Sequence, residues 1–161
     1  MKEYIINSTI RVYDWDELAK EDQVLLQAAK DATSGSYAPY SGFCVGAAVQ
    51  LADGTIVIGS NQENMAFPSG LCAERTALFA ANAQYPKQPV LSLAIAARNK
   101  AGFLSQPITP CGACRQVISG IEQRYHQPIR ILLYGTEGIH VVDSINALLP
   151  LQFTDLDLSP I

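Results

Sequence analysis

Four residues, Gly135-Thr136-Glu137-Gly138, separate two β-prone runs, 129–134 and 139–142. A connection that short closes a hairpin, whereas a parallel crossover needs a dozen residues or more. The last two strands must therefore run antiparallel, which rules out an all-parallel sheet. Phe43 to Leu51 reads as a buried strand, and Asp53-Gly54 as a tight turn into a second strand, Thr55 to Ser60. Residues 89–97 are apolar on both faces, as a central strand must be. Helical segments alternate with these strands. The first is capped at Asp14 or Asp16, carries Leu18, Leu25, Leu26, Ala28 and Ala29, and ends near Gly35, with Pro39 barring continuation. The second starts near Leu71 and stops before Pro86, and the third spans Gly112 to Arg124. A short last helix is capped by Ser144 and ended by Pro150. The order α-β-β-α-β-α-β-β-α predicts a three-layer α/β/α fold, with a mixed five-stranded sheet between helices on both faces.

With 161 residues, the chain is expected to form a single domain over 1–161. Residues 1–13 read as a short strand or an arm, within an extension, 1–15, whose role the sequence leaves open. The net charge is −4 and no run of Lys or Arg occurs, so the chain lacks the usual means of neutralising phosphates, and no nucleic-acid partner is expected. No apolar run reaches membrane-spanning length, and the first residues are too polar for a signal peptide. The expected setting is the reducing cytoplasm, away from membranes, where four cysteines are thiols or metal ligands. Only 16% of residues are charged against 48% hydrophobic, a balance that suits a subunit hiding part of its surface in an oligomer.

Two segments carry chemistry: Cys72-Ala73-Glu74 and Pro110-Cys111-Gly112-Ala113-Cys114, with 36 residues between Glu74 and Cys111. Alone, a C-x-x-C pair is as compatible with a redox site as with half a structural zinc site, and a single Cys72 with a buried small hydrophobe. Together they form a C-x-E…P-C-x-x-C pattern of much higher specificity. Each segment sits at a predicted helix start, where the partial positive charge lowers a thiol's pKa. Cys72, Cys111 and Cys114 would give Zn2+ three thiolates and leave a fourth position open, the mark of a catalytic rather than a structural ion. A water there becomes nucleophilic near neutral pH, and Glu74 can point into the adjoining cavity as its proton acceptor. Zinc, three thiolates and a hydroxide together carry −2, which makes the water less acidic. Arg75 and Arg115 each follow a motif directly and are expected to donate to the sulfurs and offset that charge.

These residues resemble the cytidine deaminase family, specifically its small homotetrameric type. The resemblance runs from Tyr37 to about Leu158 and rests on YAPYSGFCVGAAV, NQEN…CAERTALF, TPCGACRQV and LLPLQF. It implies the mechanism of zinc deaminases: attack of water on C4 of cytosine, with Glu74 passing the proton to N3 and later to the departing amine. It further implies that the partner is a small nucleoside, cytidine or deoxycytidine, within pyrimidine salvage. Phe43 would pack on the base, Asn61 and Glu63 would bond the ribose hydroxyls, and the Ala73 backbone N–H would meet the base O2. Phe67 and Phe153 occupy family positions near the active site, which in the family are partly supplied by a neighbouring subunit.

Read without the family, Phe43 is a strand aromatic, Asn61 and Glu63 are loop polars, and Cys44 is an inert core thiol. Tyr37 and Tyr40 would line the entrance or pack beneath it, while His126 and His140 lack metal-ligand spacing. The chain departs from the family's usual V-E-N-A-S-Y-P after Asn61, carrying Gln62, Glu63, Asn64, Met65, Ala66, Phe67 and Pro68. Phe67 loses a hydroxyl and Met65 is bulkier and more flexible than alanine. Three other readings compete: deamination of another small cytosine compound such as blasticidin S, deamination of a polynucleotide, and a zinc site used only for folding. Asn61, Glu63 and Phe43 favour the free nucleoside over the first. The short hairpin, Cys72 where polynucleotide deaminases commonly use His, and the acidic charge weigh against the second. The missing fourth ligand weighs against the third.

Overall fold

Strand β4 (Val90–Asn99) lies in the middle of the molecule because both of its faces are apolar. Leu93, Ile95 and Ala97 pack into one layer, and Ala94 and Ala96 into the other. The computed structural model describes residues 1–154. The end of the family resemblance, 155–158, lies outside these residues. Strand β2 (Cys44–Leu51) pairs antiparallel with β4, and β3 (Ile56–Ser60) antiparallel with β2. On the other side, β6 (Arg130–Leu133) runs parallel to β4, and β7 (Ile139–Val142) antiparallel to β6, as the short hairpin requires.

The helices form the outer layers. Helix α1 (Lys20–Ala32) covers one face, setting Leu25, Leu26 and Ala29 against Ala48, Ala94, Ala96 and Leu132. Helices α2 (Ala73–Gln84) and α3 (Gly112–Tyr125) cover the other, burying Ala77, Leu78, Ala81, Ile118 and Ile121 with Val49, Leu93 and Ile95. Two glycines let helices touch sheet backbone. A Cβ on Gly46 would lie 2.1 Å from the Ala29 carbonyl oxygen, and one on Gly59 would lie 2.3 Å from the Ala77 nitrogen. Any side chain there would push α1 or α2 off the sheet.

The α/β/α layers agree with the reading of the sequence, and some boundaries differ. Among the described residues the sheet has seven strands rather than five: β1 (Arg11–Tyr13) and β5 (Gly102–Phe103) join the others, in the order β1-β7-β6-β4-β2-β3 with β5 paired to β4. Strand β1 lies in the extension and pairs antiparallel with β7; β5 is two residues long, too short for any periodicity. Helix α1 starts at Lys20 because Asp14 opens a separate 3-10 turn, Trp15–Glu17, whose Glu17 carboxylate accepts the Asp14 N–H at 2.8 Å. The expected last helix is one 3-10 turn, Ile145–Ala147, with the Ser144 hydroxyl accepting the Asn146 N–H. The extension is anchored through Trp15, which shares the Lys30 ammonium with Tyr134 and Phe103, at 5.2, 4.5 and 5.4 Å from the three ring centroids.

Glu122 fastens the end of α3 to two neighbouring segments. Its carboxylate accepts from the backbone N–H of Ile129 at 2.8 Å, from that of Ile145 at 3.0 Å, and from the Ser144 hydroxyl at 2.9 Å. Replacing Glu122 with Ala strands two backbone donors beside buried Ile129 and Ile145. The expected loss is about 3 kcal/mol in urea unfolding, with a smaller loss for Glu122→Gln.

Candidate active site

The loops before α2 and α3 end side by side and bring the two cysteine motifs together. Cys72 is the residue preceding α2 and Cys111 the residue preceding α3, both in extended backbone; Cys114 lies one turn into α3. Both helices therefore aim their N-terminal N–H groups at the cluster, a setting that favours thiolates. The Cys72 and Cys111 sulfurs are 3.8 Å apart, the Cys111 and Cys114 sulfurs 3.5 Å apart, and all three lie within 4.8 Å of one another. A tetrahedral zinc with sulfur bonds of about 2.3 Å spaces its sulfurs by about 3.8 Å. Disulfide sulfurs would be about 2 Å apart. The spacing and the soft donor set both fit Zn2+.

The sulfurs are not equivalent. Hydrogen bonding from the Cys114 thiol, joined by the Arg75 guanidinium, outweighs burial and lowers Cys72 to about 5. Cys114 is driven upward by donating to Cys72 and by its burial. Arg75 Nη2 reaches the Cys72 sulfur at 3.6 Å, while its Nε is buried without a partner among the described residues. Arg115 departs from the expectation. Its Nε donates to the Pro110 carbonyl at 2.8 Å, Nη1 to the Leu148 carbonyl at 2.6 Å, and Nη2 to the Thr109 hydroxyl at 3.0 Å. Its side chain turns outward from α3 to lace the loop and the C-terminal segment, so it braces the site without touching sulfur.

Glu74 stands in the first turn of α2, only 4% exposed. Burial raises its pKa above the usual carboxylate range, and the negative charge of Cys72 adds to the effect. A carboxyl held in this way can both take and return a proton. It borders a cavity of about 490 Å³, lined also by Cys72, Cys111, Ala73, Phe43, Asn61, Glu63 and Phe67. That volume suits a ligand the size of a nucleoside. The cluster's free side faces this space, since Cys72 and Cys111 form part of its wall.

The remaining candidates divide. Phe43 is half-buried between the core and the cavity. The Asn61 amide braces the start of β2, accepting from the Val45 N–H at 2.8 Å and donating to the Phe43 carbonyl at 2.9 Å. The Glu63 carboxylate accepts from the Ser41 hydroxyl and from the N–H groups of Tyr40 and Ser41. Those bonds, the Ser41 hydroxyl foremost, hold its pKa below the ordinary value. Tyr40 lines the mouth and meets Phe67 edge-on at 5.4 Å, with both rings largely exposed. Phe153 lies apart from the residues lining the cavity, on the C-terminal segment, 60% exposed. Ser41, Ile108 and Thr109 also line the cavity, and reading the sequence did not single them out. Ser41 could have been found only from its contact with Glu63, 22 residues away. Cys44 is half-buried at the start of β2, outside the sulfur cluster. His126 ends α3 in the left-handed conformation, at φ 50°, and His140 lies in β7.

Residues 19–126 match the family model described as the cytidine and deoxycytidylate deaminase zinc-binding region. The cytidine deaminase of Halalkalibacterium halodurans is 36% identical over 137 residues, covering 85% of this chain and 97% of that relative. That of Sporosarcina psychrophila is 38% identical, covering 84% and 93%. The crystal structure of cytidine deaminase from Burkholderia pseudomallei superposes with a TM-score of 0.69 at 38% identity, covering 81% of this chain and 97% of that one. With the three-sulfur cluster, the buried glutamate and these likenesses together, the chain belongs to the cytidine deaminase family of zinc-dependent enzymes.

Proposed function

We propose that this protein hydrolyses cytidine and deoxycytidine to uridine and deoxyuridine with release of ammonia, as a step of pyrimidine salvage. The observation that carries the reading is a buried, protonatable Glu74 beside three convergent sulfurs, at the wall of a nucleoside-sized cavity. Cys72, Cys111 and Cys114 would hold the zinc. Bound there, the ion would supply the Lewis acidity that makes water a nucleophile near neutral pH. Glu74 accepts the proton of the attacking water and hands it to N3 as the oxygen joins C4. Glu74 then carries the second proton to the amino group, whose bond to C4 breaks as ammonia leaves.

The other residues orient the substrate. Phe43 packs on the base, with Phe67 at the mouth. The Ala73 N–H, in the first turn of α2, has no acceptor within its helix and can meet the base O2. Asn61 retains one amide hydrogen and Glu63 further lone pairs beyond the bonds already made, enough for ribose hydroxyls. Arg75 offsets the negative charge of the thiolates. Arg75→Gln is expected to weaken zinc binding about 10–100-fold, measured by competition with a chelator.

The enzyme acts as a homotetramer in the cytoplasm, with Phe153 of one copy meeting the cavity of another. Exposed apolar side chains support this reading: Leu151 and Phe153 on the C-terminal segment, Phe67 at the mouth, Met65 two residues before it, and Phe79 on α2. None of the described helices is long and apolar enough to cross a membrane. The purified protein should release ammonia from cytidine and deoxycytidine much faster than from blasticidin S or a cytosine-containing oligonucleotide. Faster release from either of those would overturn the substrate assignment.

A further inference from the structure

The C-terminal segment is held against α3 by two consecutive residues of that helix. Arg115 secures its base at the Leu148 carbonyl. One residue on, the half-buried Gln116 takes hold of Phe153 at two points: its Nε2 donates to the Phe153 carbonyl at 2.7 Å, and its Oε1 accepts the Phe153 N–H at 3.3 Å. A primary amide offers one donor and one acceptor at the spacing of a peptide group, so Gln116 does for Phe153 what a neighbouring strand would do. Ordinary packing does not hold this stretch, because Leu151 is 83% exposed and Phe153 60%. With the ring exposed, hydrogen bonds to the backbone decide where it points. Gln152 adds a side bond to Asn146 at 2.6 Å, and both backbone bonds of Phe153 run to Gln116.

We propose that Gln116 is a positioning residue for the deamination reaction: it clamps the Phe153 backbone so that the exposed ring is delivered to the substrate in a fixed orientation. This rests on the reading above that Phe153 meets the nucleoside. The clamp acts on binding rather than chemistry, since neither the sulfurs nor Glu74 touches it. It also fixes the ring to α3, a helix packed on the sheet through Ile118 and Ile121, so the ring offered to the neighbouring copy rests on a rigid support.

The test compares Gln116→Glu, Phe153→Ala and the double variant in the full-length protein, with cytidine as substrate. Glutamate keeps the size and the helix propensity but sets an acceptor against the Phe153 carbonyl. Gln116→Glu is expected to raise KM about tenfold, the effect of one lost ring contact, with kcat, zinc content, melting temperature and assembly size as in the parent. Phe153→Ala should raise KM at least as much, and the double variant no further. Gln116→Leu, which loses both bonds, should match Gln116→Glu. A raised KM in Phe153→Ala with the parental KM in both Gln116 variants would overturn the clamp and leave the role of Phe153 standing. A parental KM in Phe153→Ala would overturn that underlying role, and the clamp's purpose with it. Loss of zinc, kcat or assembly without a change in KM would make Gln116 a structural support, which also overturns the proposal.

Discussion

Glu74→Gln is expected to keep its zinc and its fold while deamination falls by about 10²–10⁴-fold or more. The substitution preserves shape and lies in the first turn of α2, where an amide fits the same buried space. It removes the carboxyl beside the sulfur cluster that is placed to accept a proton from water and return it to the base. The raised pKa of Glu74, caused mainly by burial, brings its two protonation states closer in energy, as a carboxyl with both duties needs. Zinc content by atomic spectroscopy and initial rates on cytidine check the expectation together. Full zinc with a rate within tenfold of the parent would remove Glu74 from the mechanism.

The second large effect is on the metal. Cys114→Ala is expected to lower zinc affinity by more than about 100-fold, beyond what loss of a supporting hydrogen bond costs, and to abolish detectable activity after dialysis. Cys114 is fully buried, with its sulfur 3.5 Å from that of Cys111, so surface groups cannot replace it. The helix itself should persist, because Ile118 and Ile121 pack it against the sheet independently of the sulfur. Cys44→Ala provides the contrast: that thiol lies outside the cluster, and the variant should bind zinc as the parent does. Equal zinc stoichiometry in the Cys114 and Cys44 variants would show that the ion sits elsewhere.

The features legible in the sequence were those set by local rules. The four-residue turn before β7 dictated strand direction, apolar residues on both faces marked β4 as central, and cysteines at helix starts announced the metal site. What escaped depended on partners far along the chain. Adjacency to Cys114 points Arg115 at sulfur, yet the carbonyls of Pro110 and Leu148 and the Thr109 hydroxyl claim its guanidinium, Leu148 lying 33 residues on. Ser41 gives no local signal, because its role depends on Glu63, 22 residues along the chain. Strand β5 exists only because the end of β4 has an unpaired edge beside it, which two residues cannot advertise.

Strand β1 also bears on how the protein should be handled. Its three residues cover β7, whose outward N–H and C=O groups would otherwise face solvent. Trimming the chain to begin at α1 would strip that cover and leave Lys30 without the Trp15 ring. The bared margin would be the unpaired backbone of β7, an edge to which a strand of another copy can add. A shortened version made for convenience would therefore tend to precipitate while its catalytic parts remained intact.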